Sequence, residues 1–109
     1  MADEVNQDGR PQVGDALARL GEKRGIEVLV EVLGAAAVAA EHDRYPGHFA
    51  GEALNRIAGE RFYKGDFRGS PPRPQGNFEE AARLARGWWG RVRDTIAYDP
   101  ERRVWVTAS

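Results

Sequence analysis

The sequence contains no cysteine and only one methionine among its 109 residues. Without cysteine the chain forms no disulfide and offers no thiolate to a metal ion, and this composition favours a reducing compartment. No apolar run approaches the roughly 20 residues that a membrane-spanning helix needs. The first ten residues are acidic and polar instead of basic and then apolar, so they lack the pattern of a secretory signal. We therefore predict a cytoplasmic protein that does not enter a membrane.

Motifs for catalysis or cofactor binding are also missing. No glycine-rich phosphate loop follows a predicted strand, and no serine nucleophile has an evident base beside it. Glu79 and Glu80 are adjacent, so on a helix their side chains point about 100° apart, which does not suit an acid–base pair. Four candidate metal ligands lie close together, but their spacing matches no zinc signature; they are Glu41, His42, Asp43 and His48. We predict no enzyme activity, no cofactor and no metal site.

The net charge of −1 is unevenly distributed along the chain. Residues 1–55 carry ten acidic and five basic side chains, which gives −5, whereas residues 56–109 carry seven acidic and eleven basic side chains, which gives +4. Two interpretations follow. The halves attract each other within one small fold, or the basic half binds an anionic partner.

Apolar residues at helical spacing predict a first helix from Val13 and a second from near Lys23, with Gly21 in the turn between them. The second helix is apolar over more than half of its circumference, which predicts a central position with neighbours on two sides. Its main stripe comprises Ile26, Leu29, Val30, Leu33 and Ala37.

A break at residues 41–48, with its sharpest turn signal at Pro46 and Gly47, precedes a predicted third helix that stops at Gly59. The predicted buried face of that helix comprises Phe49, Ala50, Ala53, Leu54, Ile57 and Ala58. Residues 64–76 contain so many glycines and prolines that we predict a loop there. Its prolines, Pro71, Pro72 and Pro74, are typical either of a stiff surface loop or of a ligand for a proline-recognising module.

Asn77 has the position of an N-cap for a fourth helix, with Glu80 as its reciprocal partner in a capping box. Trp88 and Trp89 follow on that helix, and adjacent positions cannot face the same way. We therefore expect one of them to be buried and the other to lie at an edge or under the proline-rich loop. Residues 95–106 predict a short β-hairpin.

Two stretches resemble parts of HEAT-type helical repeats. Leu17, Gly21, Lys23 and Arg24, followed by Ile26, Leu29 and Leu33, are similar to the turn between the helices of such a repeat. The run from Ala53 to Phe62 and the Trp88–Trp89 pair look like the closing unit of bacterial proteins of this type. The resemblance covers about residues 13–98 and implies stacked helical hairpins with one face that binds a partner, usually a protein.

From these observations we predict an all-α fold, a small antiparallel bundle of about four helices packed as HEAT-like hairpins, with a short C-terminal β-hairpin. Residues 1–12 are predicted to be a disordered leader, and residues 13–109 a single domain with the proline- and glycine-rich loop at 64–76. The predicted function is a protein–protein interaction or scaffolding module, present as a monomer or weak homodimer, that binds a protein partner.

The alternative is a nucleic-acid-binding domain. It requires the arginines of the basic half to gather on one surface, namely Arg83, Arg86, Arg91, Arg93, Arg102 and Arg103. The residues that we assign to partner binding are Arg83, Arg86, Trp89 and Arg93.

Overall fold

A computed structural model describes residues 10–39 and 44–107 of the chain. In chain order its elements are α1 (Arg10–Arg19), α2 (Lys23–Ala37), α3 (Tyr45–Ala58), β1 (Gly65–Arg68), β2 (Arg73–Gly76), α4 (Phe78–Val92), β3 (Ala97–Asp99) and β4 (Val104–Val106). The strands form two separate antiparallel pairs, β1 with β2 and β3 with β4. No helix within the described ranges is both long enough and apolar enough to cross a membrane.

The prediction of an all-α fold is wrong, because residues 64–76 form the β1–β2 hairpin instead of a loop. The described chain is therefore mixed α and β, with a small β part. Gly65 pairs with Gly76 and Phe67 with Pro74 across the two strands. The two glycines are needed there because the ring of Tyr63 occupies the space beside them, and a Cβ atom on Gly76 would lie 2.7 Å from Tyr63 Cε1. The second hairpin, β3–β4, agrees with the prediction for residues 95–106.

Helix α2 is central, as its wide apolar surface predicted, and it contacts α1, α3 and α4. Ile26, Leu29 and Leu33 are fully buried along it. The turn before α2 is a Schellman motif, in which the N–H of Glu22 donates to Leu17 O at 2.9 Å and the N–H of Gly21 donates to Ala18 O at 3.1 Å. This motif requires a left-handed residue, and Gly21 has a φ of +85°.

Helix α3 begins earlier than we predicted, at Tyr45, so Pro46 and Gly47 lie in its first turn and are not a break. Proline is tolerated there because the first N–H groups of a helix have no intrahelical acceptor. Gly47 lies against Ala36 of α2, where a Cβ atom would clash. At the other end Gly59 adopts a φ of +69° and stops the helix, as predicted.

The first and last elements of the described chain are joined directly. The indole Nε1–H of Trp105 in β4 donates to the carbonyl oxygen of Ala18 in α1 at 3.0 Å. Helix α1 itself begins at Arg10, so residues 10–12 of the predicted leader are helical. Residues 1–9, the rest of that leader, lie outside the described residues.

Gly25 allows α1 and α2 to approach closely, and its replacement by alanine is expected to destabilise the protein. A Cβ atom at this position would meet the backbone of α1 at Gly14 and Ala18 and lie 2.9 Å from Leu17 Cβ. Because backbone atoms cannot turn aside, Gly25→Ala should lower the free energy of unfolding by about 1–3 kcal/mol in urea denaturation.

Gly90→Ala is the matched control for this prediction. Gly90 is an exposed position of α4, and a Cβ atom added there would have no neighbouring atom within 4 Å. Alanine at this position should raise the free energy of unfolding by about 0.5–1 kcal/mol, because it favours the helix. Equal effects of the two substitutions would contradict the close approach at Gly25.

Candidate interaction surface

The extended segment between α3 and β1 is held by two asparagine side chains. On one side, Asn55 of α3 accepts from the N–H of Tyr63 at 3.0 Å and donates to the carbonyl of Tyr63 at 2.8 Å. On the other side, Asn77 donates to Phe62 O at 2.9 Å and accepts from the N–H of Lys64 at 2.7 Å. Each amide thus satisfies one backbone donor and one backbone acceptor, as a neighbouring strand does.

This use of Asn77 corrects the predicted capping box. Asn77 precedes α4 as expected, but its side chain makes no hydrogen bond to the first N–H groups of the helix. Its amide Nδ2 donates instead to Glu80 Oε1 at 3.0 Å as well as to Phe62. The side chain that we expected to cap a helix therefore anchors the preceding segment.

Behind this segment, His48 links α3 to Tyr63. The ring of His48 is 6% exposed, with Nδ1 2.8 Å from the hydroxyl of Tyr63 and Nε2 2.9 Å from Oε1 of Glu52. A carboxylate only accepts, so Nε2–H donates to Glu52, and in the neutral ring Nδ1 accepts from the Tyr63 hydroxyl. Burial, followed by the negative charges of Glu52 and Asp66, raises the pKa of Tyr63 to about 12.

Hydrogen bonds connect Glu52, His48 and Tyr63 in the same order as the groups of a catalytic proton relay. These residues nevertheless have a structural role. Its last member, Tyr63, is only 2% exposed and lies beneath the two glycines of the β1–β2 hairpin. A pKa of about 12 keeps its phenol protonated at neutral pH. These three hydrogen-bonded residues therefore fix the hairpin on α3, and Tyr63 is not presented to solvent as a nucleophile.

Two exposed aromatic side chains, Phe49 and Phe67, contact the ring of His48, and Tyr45 contacts Phe67 in turn. We call these three, Tyr45, Phe49 and Phe67, the aromatic surface. They are 37%, 51% and 45% exposed, respectively. Ring centroids lie 4.6 Å apart for His48 and Phe67, 5.8 Å apart for His48 and Phe49 and 6.0 Å apart for Tyr45 and Phe67. The hydroxyl of Tyr45 also donates to the carbonyl of Pro72 in the hairpin turn.

Phe49 differs from the other two members of the aromatic surface. Tyr45 and Phe67 help to attach the hairpin to α3, whereas Phe49 is the most exposed of the three. We predicted Phe49 on the buried face of its helix, and this was wrong. Its neighbour His48 is buried in its place, because the hairpin covers the face of α3 that carries His48.

Of the four residues that we assigned to partner binding, only Arg86 and Arg93 lie on the same side of α4. Trp89 is 7% exposed and belongs to the core. Successive helix positions differ by about 100°, so Arg86 and Arg93 point nearly the same way and Arg83 lies about 60–80° from them. The side chain of Arg86 covers Gly34 of α2, whereas Arg83 lies on a different side of α4, in a groove described below.

We expected one of the adjacent tryptophans at an edge or under the proline-rich loop, and the first of these is wrong because neither lies at an edge. Trp88 is 5% exposed and packs against Phe62, with ring centroids 5.7 Å apart. Helix α4 is covered on one side by α2 and on the other by the segment that carries Phe62. Both indoles are therefore enclosed, although they point in different directions.

Arg83 lies in an open groove with Arg61 and Arg91, along a wall formed by Phe62 and Leu84. The other arginines of the basic half lie elsewhere. Arg93 approaches Glu27 of α2 at 3.5 Å, and Arg102 approaches Asp99 at 3.7 Å. The six arginines required by the nucleic-acid alternative thus do not form one surface.

Within residues 10–39 and 44–107, no group of three or more potential ligands is arranged to hold a metal ion. His48 is engaged with Tyr63 and Glu52. Glu41, His42 and Asp43, the other members of the cluster noted in the sequence, lie outside the described residues.

Comparison of this chain with protein-family models, with curated proteins and with solved structures found no match. The resemblance to HEAT repeats consequently remains a prediction from the sequence.

Sequence reasoning missed the residues that build this surface, and only some of them left a signal. Asp66, Phe67 and Arg68 alternate between polar and apolar, which is the period of a strand with one covered face. The roles of Asn55 and Asn77 left none, because each amide bonds to backbone that is 8 to 15 residues away in sequence.

Asn55 and Asn77 form a bracket around the extended segment, residues 62–64. Replacing either asparagine by alanine should destabilise the protein. Asn55→Ala and Asn77→Ala each leave a backbone donor and a backbone acceptor without their partners, so each should lower the free energy of unfolding by about 1–3 kcal/mol in urea denaturation. Thr95→Ala is the control, since its hydroxyl makes only a long, exposed bond of 3.4 Å. A loss at Asn77 no larger than that at Thr95 would show that the bracket does not stabilise the segment.

The raised pKa of Tyr63 predicts a loss of stability in alkali. Above its ordinary pKa of 10.0 the unfolded chain loses this proton while the folded protein keeps it up to about pH 12. The contribution of Tyr63 is thus complete below pH 10 and should fall by at most about 3 kcal/mol between pH 10 and 12.

The measurement is the difference in the free energy of unfolding between the wild type and Tyr63→Phe at several pH values. Subtracting the variant removes the titration of all other groups. The difference should shrink as pH rises through this window, and a difference independent of pH would show that Tyr63 is not held protonated.

Proposed function

We propose that the protein is a protein–protein interaction module that binds an apolar segment of a partner through the aromatic surface. The observation that carries this proposal is a connected set of exposed rings: Phe49 and Phe67 both contact the buried His48, and Tyr45 contacts Phe67. Aromatic side chains are enriched at the energetic centres of protein interfaces, because they contribute large apolar area at low entropic cost. The proposal includes no catalytic step.

The size of the aromatic surface favours a short segment over a second copy of the chain. Aromatic side chains offer about 150–250 Å² each, so three that are half-exposed present roughly 250 Å². A stable interface between two folded proteins buries about 800 Å² per partner. The aromatic surface alone suits one or two apolar side chains of a partner, with the protein itself monomeric.

The support around the aromatic surface is rigid, which favours binding. The hairpin that carries Phe67 is fixed through Tyr63 to His48 and through the asparagine bracket to α3 and α4. A preformed surface loses little conformational entropy when a ligand is bound. Action in the cytoplasm is part of the proposal, and the cysteine-free composition supports it.

The nucleic-acid alternative has less support. Its arginines are distributed over the groove beside Arg83, the side of α4 that faces α2, and the turn of the second hairpin. Electrostatic binding to a phosphate backbone needs several positive charges within reach of the same strand. Of the six arginines that this alternative requires, Arg83 and Arg91 share a groove with Arg61, and Glu60 lies among them.

Phe49→Ser is expected to weaken binding of an apolar peptide. A peptide selected from a displayed random library against the wild type should contain aromatic or aliphatic residues and bind the variant about ten-fold more weakly, as measured by isothermal titration calorimetry. Leu20→Ser is the matched control, because Leu20 is 77% exposed but lies at the end of α1. Its effect on the affinity should be negligible.

Two outcomes would contradict the proposal. One is selected peptides that bind Phe49→Ser as well as they bind the wild type. The other is a concentration-dependent dimer in light scattering that Phe49→Ser abolishes, because the aromatic surface would then bind a second copy of the chain.

A further inference from the structure

A small pocket lies between α1, α3 and the β3–β4 hairpin, on a part of the surface with no role in the proposed peptide binding. Its volume is about 190 Å³, which is below the roughly 300–1,000 Å³ of sites for drug-sized ligands. One aromatic ring with a short substituent is the size of ligand that fits. The charged and aromatic residues that line the pocket are Asp15, Arg19, Arg56, Tyr98, Arg103 and Trp105.

The pocket has an excess of positive charge. Asp15 is the one acidic residue in its lining, and it accepts from Arg19 at 3.0 Å and also from Arg56. The third arginine, Arg103, forms no side-chain hydrogen bond or ion pair with any residue of the described ranges. Its guanidinium is therefore available to a carboxylate, which it matches in planar geometry.

The inner wall is aromatic and firmly held. Tyr98 and Trp105 are cross-strand partners with ring centroids 5.3 Å apart. The indole N–H of Trp105 is used in its bond to Ala18 O, and Tyr98 packs against Gly21. With that indole N–H engaged, the wall presents mainly ring surface to a ligand, which favours a flat apolar body.

The backbone of Arg103 has an unusual conformation. Arg103 has a φ of +58°, and it is the single non-glycine residue with positive φ in the described chain. Its N–H closes the hairpin turn by donating to Asp99 O at 2.8 Å. Glycine adopts this conformation without steric cost, whereas the residue found here bears that cost and places a long cationic side chain in the pocket lining.

We infer that this pocket binds a small aromatic carboxylate. The ring of the ligand lies on Trp105 and Tyr98, and its carboxylate accepts from the guanidinium of Arg103. Arg19 and Arg56 add positive charge at the rim, while Asp15 holds both of them in place. An uncharged aromatic compound would contact only the wall of Trp105 and Tyr98. A carboxylate without a ring would contact only Arg103.

The test is a titration with benzoate, its neutral isostere benzamide, and acetate, followed by two-dimensional ¹H–¹⁵N NMR of the intact protein. Benzoate should shift the indole signal of Trp105 and the amide signals of the non-proline residues in 98–105, with half-saturation on the order of 1–10 mM for so small a ligand. Benzamide and acetate should each bind at least about ten-fold more weakly, because benzamide has no negative charge to pair with Arg103 and acetate has no ring to lie on Trp105 and Tyr98.

Arg103→Gly separates binding from folding. Glycine suits the positive φ, so this variant should unfold at the same or a higher temperature than the wild type, yet bind benzoate about ten-fold more weakly. Arg102→Gly removes the same charge one position earlier, at a residue outside the pocket lining, and should leave the affinity within about two-fold.

The inference is overturned if benzoate binds Arg103→Gly as well as the wild type, if benzamide matches benzoate, or if the shifts lie away from the β3–β4 hairpin. Absence of saturation at benzoate concentrations on the order of 100 mM would overturn it too, because a ligand of this size that makes both contacts should bind more tightly than that.

Discussion

The structure depends on the bracket that Asn55 and Asn77 form around residues 62–64. Extended backbone inside a small protein needs partners for its N–H and C=O groups, and neighbouring backbone supplies one here, from the N–H of Asn77 to Lys64 O at 3.3 Å. The two side-chain amides supply further partners, one amide from α3 and one from the residue that precedes α4. Once the segment is fixed, Phe62 packs against Trp88 and Tyr63 reaches His48, so α4 and the first hairpin both take their positions from it.

Small residues determine how closely the helices pack against one another. Gly25 lets α1 lie against α2, and Gly47 lets α3 approach the same helix at Ala36. Because close approach brings many atoms into contact, the buried alanines of these helices also gain dispersion energy. The three fully buried large residues of α2, Ile26, Leu29 and Leu33, then lie at the centre of a core that is otherwise rich in alanine.

Local patterns predicted the helices well. The apolar stripe of α2 and the glycines at positions 21 and 59 were sufficient for their placement, since these features act over a few residues. The hairpin at 65–76 was missed because its glycines and prolines are typical of a loop, whereas the close approach of Gly65 and Gly76 to Tyr63 is visible only in the fold. Phe49 and His48 show the same limit: periodicity identifies neighbouring positions on a helix, but only the fold decides which of them is covered.

The bond between Trp105 and Ala18 spans 87 positions of sequence. Contacts of such large separation close only after a long stretch of chain has been ordered, and they delay completion of the native state. During synthesis Ala18 leaves the ribosome long before Trp105, so this bond cannot form until the second hairpin has been made. The carbonyl of Ala18 consequently acquires this partner only when almost all of the described chain is available.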